Sequence, residues 1–172
     1  MTKIRMILVL LLFVSGPLAT SYAMDKDDKK QWDITQQGIE HLAPDFTLSD
    51  IKGNKVSLSD LKGHVVLVVF TTTWCPYCKR EIPGLKKMYE TYSQKGLEIV
   101  AVYIQESQQK VSAFASAYKL PYTILLDTSG MVARAYGIRG VPTKVLIGKD
   151  GIIYCRACRS LDIMLNKLFE DK

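Results

Sequence analysis

The sequence predicts an α/β protein with a central mixed β-sheet that is flanked by helices and preceded by an N-terminal β-hairpin. Three observations predict it. Continuous apolar, β-branched runs such as HVVLVVFTTT are typical of strands buried on both faces of a sheet. Segments with helical apolar spacing alternate with these runs, which implies parallel strands joined by helices. Near the end, TKVLIGKDGIIYC carries a turn signal between two apolar stretches, which adds an antiparallel hairpin.

The first elements follow from turn and spacing signals. Residues 43–63, APDFTLSDIKGNKVSLSDLKG, predict the N-terminal hairpin with Gly53-Asn54 at its turn. The first buried strand, at 64–73, runs straight into a helix over 74–96. Within that helix the apolar residues recur at helical spacing, and Gly96 can cap its end; they are Leu85, Met88, Tyr89 and Tyr92.

The rest of the domain continues the alternation. We expect strands at 97–104 and 122–127, helices at 107–120 and 130–137, a hairpin at 143–155 turning at Lys149-Asp150-Gly151, and an amphipathic helix at 160–170. The expected central sheet has four or five strands.

The first 23 residues predict a secretory signal peptide. MTKIR supplies two positive charges, MILVLLLFV a short apolar run, and the stretch ending Ser21-x-Ala23 small residues for cleavage after Ala23. The alternative is an uncleaved membrane anchor, but the apolar run is about half of the roughly 20 residues that a span needs. We therefore expect export to a periplasm-type compartment, a flexible linker over residues 24–37, and one domain over residues 38–172.

Composition and charge exclude some classes of protein and partner. Of the 172 residues, 48% are hydrophobic and 23% charged, which is typical of a globular domain rather than a disordered chain. Loss of Lys3 and Arg5 with the leader lowers the formal charge from +6 to +4. Because the lysines are scattered rather than clustered with aromatic residues, we expect no nucleic-acid partner.

The first cysteine pair, in WCPYC, stands where the buried strand turns into a helix. Helix N-terminal amides and the helix dipole stabilise negative charge, so we expect a lowered pKa for Cys75. Cys78, one turn on, can attack a mixed disulfide formed at Cys75. A structural disulfide or half of a metal site are the alternatives. The strand-to-helix position and the flanking Trp74 favour redox chemistry.

Several separated motifs resemble a known family. FTTTWCPYCKREIPGL together with YGIRGVPTKVLI resembles the thioredoxin superfamily. APDFTL, VSLSDLKGHVVLVVF, and Glu81 and Pro83 after the second cysteine narrow the resemblance to the TlpA/ResA/CcmG-like exported thiol-disulfide oxidoreductases. The resemblance covers the chain from about Gly38 and implies a thioredoxin fold, with Cys75 as the attacking thiolate and Cys78 as the resolving thiol.

The same resemblance implies roles for residues outside the cysteine pair. It assigns Trp74, Val141 and Pro142 to substrate binding, with Pro142 as the cis proline of a loop that faces the cysteines. It also implies that Glu81 accepts a proton from Cys78, although a solvated carboxylate in the first helical turns is an alternative. Thioredoxins have a buried aspartate on the central strand, and the matching position here is Val69.

The chain departs from the family in the dipeptide between the cysteines. Pro76 follows the first cysteine and Tyr77 precedes the second, as in glutaredoxins, whereas the family commonly has proline before the second cysteine. A reduction potential is therefore not transferable. A peroxiredoxin is a further alternative because APDFTL also opens those enzymes, but Val68 stands where their motif needs proline, four residues before Thr72.

The second cysteine pair, in YCRAC, has no counterpart in the resemblance. Cys155 ends the last predicted strand, which returns to the sheet edge at which the first pair lies, and Cys158 follows in a turn. Because residues three apart in a strand are about 10 Å apart, a disulfide needs a turn at Arg156-Ala157. A local structural disulfide, a second redox pair and a metal site stay open. Arg156 and Arg159 would lower the thiol pKa values.

These observations predict an exported thiol-disulfide oxidoreductase that needs no cofactor. The resemblance implies that it reduces disulfides in exported proteins, including apocytochrome c, and that a membrane thiol carrier supplies its electrons. The alternative is a thiolate metal-binding protein or chaperone for Cu(I) or zinc, in which the four cysteines act as ligands.

Overall fold

The computed structural model of the chain describes residues 42–158 and 160–170. The predicted leader, the predicted linker, the first residues of the predicted domain and Arg159 lie outside them. Within the described residues, no helix combines the length and the apolar character that a membrane span requires.

The elements occur in the predicted order. The strands are β1 Thr47–Asp50, β2 Lys55–Ser57, β3 Val65–Thr71, β4 Leu97–Ile104, β5 Thr123–Asp127, β6 Thr143–Ile147 and β7 Ile153–Arg156. The helices are α1 Pro76–Tyr92, α2 Gln108–Tyr118, α3 Met131–Ala135 and α4 Leu161–Glu170. Two short 3₁₀ turns, Leu58–Leu61 and Ser93–Lys95, follow β2 and α1.

The strands form one mixed sheet with the order β2-β1-β5-β4-β3-β6-β7. Strands β3, β4 and β5 are parallel, whereas β6 is antiparallel to β3 and β7 is antiparallel to β6. The expected central sheet of up to five strands corresponds to β3–β7. The N-terminal hairpin extends that sheet to seven strands because β1 pairs antiparallel with β5, through Ser49 opposite Leu126.

The central strand β3 is buried on both faces, as its continuous apolar run predicts. Alternate side chains contribute to two cores. On one face Val65, Leu67 and Val69 join residues from α1, α2 and α4. On the other face Val66, Val68 and Phe70 join residues from α3 and the N-terminal segment. The strand end that precedes α1 is therefore fixed between two packed layers.

Helix α1 begins two residues after Trp74 because Cys75 is its N-cap and Pro76 occupies the first helical position. Proline suits that position because its missing N–H would have no partner there. The helix ends at Tyr92, and Gly96 then adopts the left-handed conformation with φ of 99°. The predicted capping glycine thus lies one 3₁₀ turn beyond the end of the helix.

Candidate active site

The two cysteines of WCPYC meet at the N-terminus of α1. Both are free thiols in this structure, and both are buried, with 4% and 5% exposure for Cys75 and Cys78. The Cys78 backbone N–H donates to the Cys75 Sγ at 3.4 Å. The Val141 carbonyl oxygen lies 3.6 Å from the same sulfur. Cys75 is therefore held between the first helical turn and the loop that precedes β6.

The surroundings separate the acidities of the two thiols. Burial raises the pKa of Cys75, but hydrogen bonds from the Cys78 thiol and from the backbone N–H groups of Cys78 and Tyr77, with the charge of Arg80, outweigh it. The pKa of Cys75 is therefore lowered. Burial and the hydrogen bond with Cys75 raise the pKa of Cys78. Cys75 is thus the group that ionises first, as the helix-terminus argument predicts.

The loop that precedes β6 lies opposite Cys75. The Val141-Pro142 peptide bond is cis, which agrees with the expectation from the family resemblance. Trp74 and Tyr77, which stand on either side of Cys75 and Pro76 in the chain, are each 64% exposed, although both are large and aromatic. A groove of about 420 Å³ has Trp74, Val141 and Arg134 among its lining residues. Exposed aromatic side chains and an open groove therefore lie close in the chain to the buried Cys75.

Glu81 lies one helical turn after Cys78. Its Oε1 binds the Lys144 Nζ at 2.7 Å, and its side chain is 31% exposed. Its Oε2 is buried and has no hydrogen-bond partner within residues 42–158 and 160–170. Glu81 and Cys78 also line one small cavity of about 10 Å³, with Val69 and Pro142 in the same wall. Glu81 is therefore a half-buried, ion-paired carboxylate that shares a cavity with Cys78, not a freely solvated one.

Sequence reasoning missed Glu106, which supports the segment that carries the cysteines. Its side chain is 4% exposed and follows β4. One carboxylate oxygen accepts the Thr73 N–H at 2.7 Å and the other accepts the Thr73 hydroxyl at 2.6 Å. Lys110 pairs with the carboxylate at 2.7 Å. The signal in the sequence is an acidic residue at the carboxyl end of the strand next to β3, where it can reach the loop after β3.

The second cysteine pair forms a disulfide between Cys155 and Cys158, with a Cα–Cα distance of 5.6 Å. Ala157 provides the required turn through a positive φ of 52°. Arg156, which the sequence predicts to lower the pKa of these thiols, directs its guanidinium to the Tyr136 carbonyl oxygen on the other face of the sheet. The alternation of side chains along β7 sends neighbouring residues to opposite faces.

The described part of the chain offers no support for the metal-binding alternative. It contains no cluster of three or more histidine, cysteine, aspartate or glutamate side chains that could hold an ion. Cys155 and Cys158 are bonded to each other, so neither is available as a thiolate ligand. Val68, which occupies the position where the peroxiredoxin motif needs proline, lies fully buried in the middle of β3.

Comparisons with known proteins agree with this geometry. Residues 39–156 match the AhpC/TSA family. The thiol-disulfide oxidoreductase ResA of Bacillus thuringiensis is 35% identical over 144 residues, which are 83% of this chain and 80% of that protein. The ResA protein of Geobacillus kaustophilus is also 35% identical, over 87% of this chain and 81% of its own.

Solved structures give the same result. A Chlorobium tepidum protein assigned as a thiol:disulfide interchange protein DsbE superposes with a TM-score of 0.66 at 32% identity, covering 71% of this chain and 87% of its own. The thioredoxin domain of a Bacteroides vulgatus thiol-disulfide oxidoreductase gives a TM-score of 0.69 at 31% identity, covering 74% and 95%.

Proposed function

Since the chain belongs to the AhpC/TSA family and is a thiol-disulfide oxidoreductase of the ResA and DsbE type, we propose that it reduces disulfides in exported proteins through Cys75 and Cys78. The observation that carries the proposal is the placement of two free thiols at the N-terminus of α1, where the Cys78 N–H donates to Cys75 Sγ at 3.4 Å, and the opposite displacement of their pKa values agrees with it. A lowered pKa makes Cys75 the nucleophile, and a raised one keeps Cys78 protonated until it is needed.

The first step is attack by the Cys75 thiolate on a substrate disulfide. A bond forms between Cys75 Sγ and one substrate sulfur, while the substrate S–S bond breaks and its second sulfur leaves as a thiolate that takes up a proton. Trp74 and the Val141-Pro142 loop hold the substrate. Proline leaves the loop without one N–H, so the neighbouring backbone groups are free to pair with an extended substrate segment.

The second step releases the substrate. Cys78 transfers its proton to the Glu81 carboxylate and attacks Cys75 Sγ, which forms the Cys75–Cys78 disulfide and breaks the bond to the substrate. The remaining substrate sulfur leaves as a thiolate and takes up a proton, and Glu81 gives up the proton that it received. Two electrons have then passed from the enzyme to the substrate, and both substrate sulfurs end as thiols. An external dithiol must then return two electrons to the Cys75–Cys78 disulfide. In the proposed mechanism the sulfur atoms carry out the exchange, and no bound cofactor takes part.

The proposed compartment and partners rest on the sequence and on the relatives. The signal-peptide pattern of residues 1–23 supports export to a periplasm-type compartment, where protein disulfides persist. The similarity to ResA and DsbE proteins supports a substrate among exported proteins. We propose apocytochrome c as the substrate class and a membrane thiol carrier as the electron donor.

The test uses a synthetic peptide that contains an oxidised Cys-x-x-Cys-His motif, the sequence to which c-type haem is attached. Reduced protein is expected to convert the peptide to its dithiol. Cys75→Ser should lose the activity by at least about a thousandfold because it removes the nucleophile. Cys78→Ser should instead accumulate one covalently bound peptide per chain, visible by mass spectrometry.

The double variant Cys155→Ala/Cys158→Ala is the matched control, since it removes two cysteines but leaves both reacting sulfurs. It should still reduce the peptide. Reduction of the peptide by Cys75→Ser would contradict the proposal, and so would the absence of a trapped peptide in Cys78→Ser. A control peptide with a disulfide in an unrelated sequence distinguishes general reduction from a preference for the haem-attachment motif.

A further inference from the structure

Lys144 is the residue that links the two cysteine pairs. It lies in β6, directly opposite Val69 of β3. Its side chain is 23% exposed, and its Nζ reaches Glu81 Oε1 at 2.7 Å. Its aliphatic stem thus lies at the margin of the packed face, and its ammonium group pairs with one oxygen of the Glu81 carboxylate. The Lys144 ammonium group therefore fixes the orientation of the Glu81 carboxylate near Cys78.

The ion pair leaves the other oxygen of Glu81 available. Glu81 Oε2 is buried without a hydrogen-bond partner in the described part of the chain. Leaving a buried carboxylate oxygen unpaired is costly, so such an atom calls for an explanation. Glu81 and Cys78 line the same cavity of about 10 Å³, which is about the room that one water requires. This shared cavity is the route by which we expect a proton to pass from Cys78 to Glu81, directly or through one water.

The second cysteine pair holds Lys144 from the opposite side. The Lys144 carbonyl oxygen accepts the Ala157 N–H at 2.8 Å and lies 3.7 Å from Cys158 Sγ. Regular pairing between β6 and β7 ends at Val145 and Arg156, one residue before this contact. The disulfide between Cys155 and Cys158 therefore closes the turn that contacts the Lys144 backbone beyond the end of the β6–β7 ladder, while β3 pairs with Lys144 on the other side. One residue contacts both the disulfide turn and the carboxylate.

We propose that Lys144 is a positioning residue that directs Glu81 toward Cys78, and that the Cys155–Cys158 disulfide holds Lys144 in place for this task. The inference rests on the proposed reduction by Cys75 and Cys78, since it concerns the second step of that reaction. It gives the YCRAC motif a role that needs no electron transfer between the pairs.

The resolving step depends on this arrangement because Cys78 is a poor acid. Its pKa is raised, so a base must take its proton as Cys78 Sγ attacks Cys75 Sγ. Without Lys144, the Glu81 carboxylate is free to turn toward the solvent groove of about 490 Å³ that it also lines. The titratable or charged side chains that share a cavity or groove with Glu81 are Cys78, Arg80, Lys87, Tyr92, Tyr103, Tyr122, Lys144 and Asp162. Among these, Lys144 forms the ion pair with it.

The experiment follows both steps with 5,5′-dithiobis(2-nitrobenzoate) and the reduced mature protein in stopped flow. Release of the first nitrothiobenzoate reports attack by Cys75, and release of the second reports resolution by Cys78. Lys144→Met keeps the apolar stem and removes the charge. We expect it to slow the second release about tenfold at pH 7, since a well-placed base contributes a hundredfold or more. The midpoint of the pH profile of that release should move upward, while the first release is unchanged.

Matched variants separate charge from structure. Lys144→Arg should restore most of the second rate, whereas Lys144→Gln should behave like Lys144→Met and covers the case in which one variant folds poorly. Cys155→Ala/Cys158→Ala should slow the second release about threefold in the native background and not further when combined with Lys144→Met, because coupled residues are non-additive.

The outcomes distinguish this inference from the proposed function. An unchanged second release in Lys144→Met, or an equal loss in Lys144→Arg, overturns the role of Lys144. An additive effect of the disulfide variant in the Lys144→Met background overturns the link to the second pair. If the native protein releases no nitrothiobenzoate, it is the reduction by Cys75 and Cys78 that fails.

Discussion

Glu106 shows how one residue outside the cysteine motif can set its geometry. The carboxylate is almost fully buried and binds both the backbone N–H and the hydroxyl of Thr73, two residues before the nucleophile. Hydrogen bonds to a charged group contribute about 1.5–3 kcal/mol each, whereas the ion pair to Lys110, which is more than half exposed, adds little. The segment between β3 and α1 is therefore fixed by charge as well as by packing.

Glu106→Gln should lower the free energy of unfolding at pH 7 by about 2 kcal/mol, because an amide binds the two Thr73 groups less strongly. Burial raises the pKa of Glu106, but hydrogen bonds from Lys110 and Thr73 outweigh it, so the pKa in the folded state is lowered. The stabilisation by Glu106 is then fully present above about pH 4.3, the pKa of glutamate in the unfolded chain. It is lost as the pH falls through the lower pKa of the folded state.

Urea unfolding of both proteins at pH 7 and pH 3 measures this difference. The gap between native protein and Glu106→Gln should be largest at pH 7 and should shrink at pH 3. Glu90→Gln on the exposed face of α1 is the matched control and should change little at either pH. A gap that stays constant between pH 7 and pH 3 would show that Glu106 acts through shape and not through its charge.

The sequence could predict those residues of the site whose position depends on a single local element, such as one strand-to-helix junction. Cys75 lies at a strand-to-helix junction, so the helix terminus alone predicts its lowered pKa. Glu106 and Lys144 reach the site across neighbouring strands, and the sequence does not state which residues face each other across a sheet. The same reason explains why Arg156 could not be placed, since its direction depends on which residues of β7 face which core.

At the scale of elements, two glycines differ in why the chain has glycine there. One position has room for a side chain, and the other does not. Gly84 lies inside α1, and a Cβ built there would meet no atom within 4 Å. Gly148 follows β6, and a Cβ there would lie 2.6 Å from Asp150 Oδ1 and from Tyr154 Cζ. Asp150 Oδ1 also accepts the Ile152 N–H, so moving it disturbs the turn between β6 and β7.

The two alanine substitutions should therefore have opposite signs. Gly84→Ala should raise the free energy of unfolding by about 0.5–1 kcal/mol, because alanine loses less backbone freedom in a helix. Gly148→Ala should lower it by about 1–3 kcal/mol through crowding. Urea unfolding at pH 7 checks both values, and each variant serves as the control of the other. Equal effects at the two positions would contradict the close packing at Gly148.

The elements themselves were largely predictable because hydrophobic period and turn chemistry act locally. Continuous apolar runs in the sequence predict β3, β4 and β5, and Lys149-Asp150-Gly151 predicts the turn of a hairpin. The join between the N-terminal hairpin and β5 was not predictable, because its hydrogen bonds connect Ser49 with a strand more than seventy residues away. Local signals carry no information on such a pairing.

At the scale of the whole molecule, one sheet carries two cysteine pairs of different character. Cys75 and Cys78 lie buried at the N-terminus of α1, where the thiolate is stabilised. Cys155 in β7 and Cys158 in the turn that follows are half-buried, at a Cα–Cα distance that is usual for disulfides. Stabilising the reduced form of a pair makes its disulfide easier to reduce. The two pairs should therefore take up electrons separately.

A redox titration of the mature protein, with mass tagging of free thiols at each potential, should reveal two steps of two thiols. Cys75 and Cys78 should appear first as the potential is lowered, because their reduced form gains a stabilised Cys75 thiolate. Cys155→Ala/Cys158→Ala should lose the second step and keep the first at nearly the same potential. If all four thiols instead appear together, and metal analysis finds zinc or copper in the reduced protein, the pairs form one binding site and the exchange mechanism is wrong.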